Sequence, residues 1–187
     1  MPRVADQHLH DRILEAAQRL WRTQGEKGLT LRGVAREAGT TTTTVYKRFR
    51  SKEVLLYALA ERVYRQLIAR VTAAANLEDA AQRYLSFAEN HAEEYKLLFG
   101  KAWTTVFAPG RARPLQDWTM AQFAARFGGQ PKDYVQAHFA LFLATHGSAS
   151  LLTEAHGRAL ETARESCSQV CATLIKNAQI FRKKSRH

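Results

Sequence analysis

Two hydroxyls, a phenol and a cation stand close together at Thr42, Thr43, Tyr46 and Lys47, with no acidic residue among them. On a helix these four share the face opposite Val45 and Phe49, which lie four residues apart and point the same way. Such a face suits a DNA groove lined by phosphates. Hydroxyls can bond to base edges or phosphates, threonine methyls can meet the thymine methyl, and a lysine can meet a guanine or a phosphate. Thr44 adds a third hydroxyl, and Lys52 adds a cation at the start of a following helix, where backbone N–H groups favour an anion. Arg32 and Arg50 are further phosphate candidates.

These side chains need a scaffold, and the flanking residues predict one. Leu31, Val34, Ala35 and Ala38 recur at helical spacing and give one buried face. Thr30 is placed to cap that helix. Gly39 stands where the chain must reverse, and glycine alone takes a positive φ there without steric cost. Thr40 and Thr41 are then turn and cap, and Ser51 can cap the next helix, with Glu53 in its first turn. Two short helices bury too little to stand alone. A preceding helix from about His8 to Thr23 offers Leu9, Ile13, Ala16, Ala17 and Leu20 as the missing stripe. Gly25 and Gly28 should end it, and residues 1–7 should form an arm.

Helix, Ala-Gly turn, hydroxyl-rich second helix, Val45-Tyr-x-x-Phe49 and Ser51-Lys-Glu53 before an apolar run resemble the tetracycline-repressor (TetR) family of DNA-binding regulators, from about Ile13 to Leu56. The chain departs from that pattern at Thr40, where the family usually has an aliphatic residue, and in the unbroken run of five threonines. The resemblance implies a phosphate-backbone contact for Tyr46 and a phosphate contact for Lys52. It also implies a homodimer through a four-helix bundle of the last two helices of each subunit, and a small-molecule pocket within the C-terminal helices. A dimer would set two recognition helices about 34–36 Å apart on a near-palindromic site.

Charge agrees with a polyanion partner. Met1 to Lys52 carries 11 basic against 5 acidic residues, and Lys176 to His187 carries 5 basic and none acidic. The stretch between them balances at 12 and 12, so the formal charge of +11 sits at the two ends. The basic tail reads as a solvated end or as a second phosphate contact. No apolar run of about 18 residues predicts a membrane span. Arg3, Asp6, Asp11 and Arg12 interrupt any signal-peptide core, so a cytoplasmic protein is expected.

Beyond residue 52 the pattern stays helical, with no strand alternation, and the fold class is all-α: a three-helix helix-turn-helix module over residues 1–52, then a helical regulatory and dimerisation domain over residues 53–187. Helices are expected over about 52–75, 77–89, 91–99, 115–127, 131–155 and 158–178, with Asn76 and Asn90 as start signals and Gly128 and Gly157 as stops. This part is rich in aromatic residues. Tyr84, Phe87, Trp103, Phe107, Trp118, Phe123, Tyr134, His138 and Phe142 are candidate pocket residues, with Tyr84, His91, Gln122 and His138 as polar anchors. Such a lining points to a largely apolar effector of unknown identity. Gly147 to Ser150 would let a partner helix approach closely.

Cys167 and Cys171 lie four apart on one predicted helix, a poor disulfide geometry. Reduced thiols are the simple reading, with a redox or two-thiol metal role as the alternative. His146 and His156 complete no ligand spacing. The sequence has no paired carboxylate in an apolar setting, no glycine-rich phosphate loop, no Ser-His-Asp motif and no metal-ligand spacing, so neither an enzyme nor a cofactor or metal is expected. The rival reading is a non-specific architectural DNA binder without ligand control.

Overall fold

Threonine side chains set the first elements. Thr30 Oγ1 accepts from Gly33 N at 3.0 Å and starts α2 (Leu31–Glu37), and Thr41 Oγ1 accepts from Thr44 N at 3.1 Å and starts α3 (Thr42–Arg48). Each satisfies a backbone donor that the helix itself leaves unpaired, an effect of about 1 kcal/mol. Gly39 takes φ +61 between them, the conformation the turn requires. This is a computed structural model that describes residues 4–100, 102–154 and 158–182, with the backbone alone at residues 4–7 and 103.

The remaining elements are α1 (Val4–Gly28), α4 (Lys52–Thr72), α5 (Leu77–Asn90), α6 (Ala92–Phe99), α7 (Trp103–Val106), α8 (Pro114–Phe127), α9 (Val135–Leu152) and α10 (Arg158–Lys176). Single 3₁₀ turns precede α9, at Pro131–Tyr134, and follow α10, at Ala178–Phe181. The described residues contain no strand. Among them, no helix is long and apolar enough to cross a membrane.

Several boundaries differ from the sequence expectation. α1 begins at Val4, so an arm over residues 1–7 is too long. Its helical path breaks at Gly25, with φ 59 and ψ −149, as the glycine pair suggests. Asn90 is the last residue of α5, not the cap of α6: its amide donates to Ser86 O and Ser86 Oγ of its own helix. Pro131 opens a 3₁₀ turn closed by a Gln130–Asp133 capping box, and α9 starts only at Val135. The chain beyond α10 packs as far as Phe181, with Ala178 fully buried. The basic tail residues Lys183, Lys184 and Arg186, together with Ala155, His156 and Gly157, lie outside the described residues.

The chain divides into two compact units. Unit 1 holds Met1–Arg65 and Glu93–Arg111. Its core joins Ile13, Leu14, Ala16 and Ala17 of α1 to Leu31, Val34 and Ala35 of α2, Val45 of α3, and Phe49. Arg12 Nη2 donates to Ala38 O at 2.7 Å, closing the C-terminal end of α2 from α1. His10 stacks on Phe49 with ring centroids 5.1 Å apart. α6 belongs to this unit because its buried carboxylate, Glu94, receives Gln18 Nε2 and Arg22 Nε of α1, and Trp21 Nε1 donates to Glu93 O at 2.7 Å. A carboxylate this deep is tolerated only with such donors, since removing them strands a buried charge.

Unit 2 holds Gln66–Ala92 and Ala112–His187. Its core gathers Leu77 and Ala81 of α5, Met120 and Phe123 of α8, Tyr134, Ala137 and Leu141, and Cys171 and Ile175 of α10. Tyr134 is fully buried, stacks near Phe123, and donates its hydroxyl to Gly128 O at 2.7 Å. Both cysteines are buried in this unit, and burial, then the neighbouring Cys167, pushes the Cys171 thiol up to about 11. A thiol so protonated is a poor nucleophile and a poor ligand at neutral pH. The described residues hold no cluster of three or more potential metal ligands.

Candidate nucleic-acid interface and effector cavity

The face of α3 left after Val45 and Phe49 are buried carries Thr43, Tyr46 and Lys47, all exposed, with Thr42 half-buried beside them. Tyr46 keeps 52% of its surface in solvent, unusual for so large an apolar ring. Lys47 makes no ion pair among the described residues, and neither do Arg32, Arg36 or Arg50, which are also exposed. Arg32 and Arg36 of α2 flank a polar groove that runs past Thr30 to Thr40, Thr41 and Thr42. Arg36 was not among the sequence candidates. Its signal was present in the sequence: four residues after Arg32, it falls on the same face of the helix.

The five threonines separate into different tasks. Thr40 lies in the turn, with its N–H on Ala35 O at 2.9 Å. Thr41 and Thr44 hold each other: their hydroxyl oxygens are 2.8 Å apart, and Thr41 also caps the helix. What Thr44 retains for a partner is chiefly its methyl group. Thr42 and Thr43 have no side-chain hydrogen bond among the described residues, so their hydroxyls remain available.

Lys52 sits at the first position of α4 and donates to Glu26 O at 3.0 Å. Ser51 Oγ accepts from Val54 N at 3.2 Å and caps that helix. The contact ties Lys52 to the end of α1 and still leaves two ammonium protons for a phosphate.

A second feature lies wholly within unit 2. α5, α8 and α9, with Val71 of α4, line a half-open cavity of about 60 Å³ whose walls include Leu77, Ala80, Tyr84, Leu115, Thr119, His138, Leu141, Phe142 and Thr145. Of the aromatic candidates, the fold therefore brings Tyr84, His138 and Phe142 together. Phe123 and Tyr134 are instead in the packed core, with Trp118 against it. Phe87 is buried, its ring 5.1 Å from His91. Phe107 lies in unit 1, stacked on Phe99 and edge-on to Tyr64. The side chain of Trp103 lies outside the described part. Gln122 lines a separate shallow groove with Asn76 and Arg126. The walls that sequence reasoning missed are aliphatic or threonine, residue types that carry no ligand signal of their own. Burial holds the His138 imidazole down at about 4 despite Asp117 nearby, and holds His146 below its ordinary value. Both rings are neutral at pH 7.

Residues 13–59 match the family model described as "Bacterial regulatory proteins, tetR family". Over 58 residues the chain is 40% identical to an uncharacterized HTH-type transcriptional regulator in the dhlA 5′ region of Xanthobacter autotrophicus. That match covers 31% of this chain and 29% of the relative, so it spans under a third of the relative's length. Solved structures extend the likeness to the fold of the whole chain. The TetR-Q116A protein of Acinetobacter baumannii AYE, solved in complex with minocycline, is 20% identical with a TM-score of 0.66, covering 92% of this chain and 97% of that one. A TetR-family transcriptional regulator from Haemophilus influenzae is 19% identical with a TM-score of 0.60, covering 90% and 98%. A protein of unknown function from Rhodococcus sp. RHA1 is 26% identical with a TM-score of 0.60, covering 90% and 94%.

Proposed function

We propose, from the premise that this chain belongs to the tetR family of DNA-binding transcriptional regulators, that it is a homodimeric repressor released from a near-palindromic operator by a small, largely apolar molecule. The observation that carries the reading is the acid-free, exposed face of α3, flanked by the unpaired cations Arg32, Arg36 and Arg50. Residues 1–52 would read DNA and residues 53–187 would regulate and dimerise. Thr42, Thr43 and Lys47 would reach base edges, Thr44 would offer a methyl, and Arg32, Tyr46 and Lys52 would hold phosphates.

The dimer is supported by apolar side chains left in water. Phe139, Leu143 and Leu151 of α9 are exposed by 47%, 66% and 63%, and successive steps of four and eight put them on one helix face. Val170 of α10 is also half exposed. A face of this kind is costly in water and is normally covered by a partner.

Release requires that the effector bind one conformer better than the other, because equal affinity shifts nothing. The cavity supports such a difference. At about 60 Å³ it is well below the roughly 300–1,000 Å³ of an open pocket for a drug-sized ligand, so an effector must widen it. α4 starts in unit 1 and ends in unit 2, which makes it the natural lever.

The test is selection of binding sites from random DNA, followed by competition at physiological salt. A repressor of this kind yields an inverted repeat and resists excess random DNA, whereas an architectural binder yields no consensus. Sedimentation at micromolar concentration should give a dimer, and a monomer there removes the dimeric part of the proposal.

A further inference from the structure

We propose that the unit 2 cavity takes an uncharged, largely apolar molecule with a single hydrogen-bonding group, and that His138 is the residue that reads this group. The inference rests on the effector reading above and adds the chemistry of what enters. Its first support is the composition of the walls, which contain no lysine, arginine, aspartate or glutamate. An ion entering would give up its hydration with no counter-charge on the walls; Asp117, near His138 but not a wall residue, would oppose an anion, and burying an unpaired charge is far more costly than burying a neutral polar group.

The second support is what two of the three wall hydroxyls already do, the third being that of the buried Tyr84, which has contacts of its own. Thr119 Oγ1 donates to Leu115 O at 2.6 Å, and Thr145 Oγ1 donates to Leu141 O at 2.8 Å. Each hydroxyl proton is used within its own helix, so these two residues turn mostly apolar surface to the cavity. His138 differs. It makes ring contacts with Phe139 and Phe142 and no side-chain hydrogen bond among the described residues.

The third support is the setting of that ring. His138, Phe142 and His146 stand four residues apart on α9, and Phe142 lies at 19° to one imidazole and 6° to the other. The column orients the His138 ring without using its nitrogens. Burial keeps the imidazole neutral at pH 7. It then offers one N–H donor and one nitrogen acceptor, the complement of a hydroxyl or a primary amide. A carboxylate could accept from the same N–H, but its charge would be neutralised only by an imidazolium, which the same burial opposes.

Four compounds of similar size test this on the full chain: phenol, benzene, benzoate and benzylammonium. Titrations at pH 7.5 would follow the methyl resonances of Leu141 and Thr145 and the ring of His138 by NMR. Phenol should saturate and shift the His138 ring, with benzene about tenfold weaker, the factor that one buried hydrogen bond supplies. The two ions should give no saturable shift. In His138→Phe the advantage of phenol over benzene should fall to within about twofold, and in His138→Gln, which keeps a donor and an acceptor, it should largely return. Equal binding of phenol and benzene, or benzoate binding as tightly as phenol, overturns the inference while leaving an effector site in place. No saturable shift with any of the four removes the effector site itself, and the inference with it.

Discussion

α3 and α9 dispose their polar groups in opposite ways. On α3 the polar atoms that matter are outside: Thr43, Tyr46 and Lys47 are exposed, and the buried contribution is Val45 alone. On α9 two polar side chains are turned inward, Thr145 buried and bonded to its own helix and His138 facing a cavity, while the large apolar Phe139, Leu143 and Leu151 are exposed beside Gln136 and Ser150. A helix that presents donors to water is suited to a polyanion. A helix that presents hydrocarbon to water and hides an imidazole is suited to a partner helix on one side and a neutral ligand on the other. The two regions therefore call for different perturbations, and their expected effects separate by size.

The largest expected effect is in unit 2. Phe123→Ala removes a ring that is 1% exposed and packed near Tyr134. It should cost about 3–5 kcal/mol of stability, because the surrounding helices can only partly collapse into the void. Chemical denaturation checks this. If Phe123 instead lined an open site, the loss would be near zero, and the division of the aromatic residues between core and cavity would be wrong.

That division marks what the sequence could not reveal. The α2–α3 pair was legible because its signals are local: Thr30 and Thr41 cap, Gly39 turns, and all three behave as their spacing predicts. Each signal depends on residues within one helical turn. In unit 2, Phe123, Tyr134, His138 and Phe142 are similar in type and evenly spread in sequence. Which of them meets a cavity depends on how α5, α8 and α9 cross, a non-local property. The same limit hid Asn90, whose amide turns back on Ser86, and α6, which joins unit 1 through the buried Glu94. A glutamate in a helix reads as surface until the partners Gln18 and Arg22, more than 70 residues earlier, are known.

An intermediate effect concerns His138 and pH. Its folded pKa of about 4 lies below the ordinary value of 6.5, chiefly through burial. Between those values the unfolded chain binds more protons than the folded one, so stability falls as pH drops through this window and is unaffected above it. His138→Gln should abolish this part of the slope. The difference should be on the order of 2 kcal/mol by pH 4, allowing for partial solvent relaxation. Parallel urea titrations of both proteins from pH 4 to 8 would decide; coincident slopes would mean that the ring is hydrated and the cavity open.

The two lysines of unit 1 sharpen the comparison from the DNA side. Lys52→Ala should weaken binding to operator and random DNA alike and lower the salt slope by about 1. Lys47→Ala should change base preference at one position of each half-site, by about 1–3 kcal/mol. Equal losses on specific and random DNA for both variants would count against a base contact for Lys47.

The smallest effect distinguishes capping from reading within one run of identical residues. Thr41→Ala removes the acceptor for Thr44 N and the partner of the Thr44 hydroxyl, and should cost about 1 kcal/mol of stability. Thr41→Ser keeps the oxygen and should restore nearly all of it. Thr43→Ser also keeps its oxygen, but Thr43 makes no such bond, so stability should stay within about 0.5 kcal/mol. If its methyl meets thymine, the same variant should lose preference for thymine over uracil at one operator position. Thermal melts and binding to uracil-substituted operator therefore give opposite rankings for Thr41→Ala and Thr43→Ser. A common ranking would mean that the threonines act as one surface instead of as a cap beside a reader.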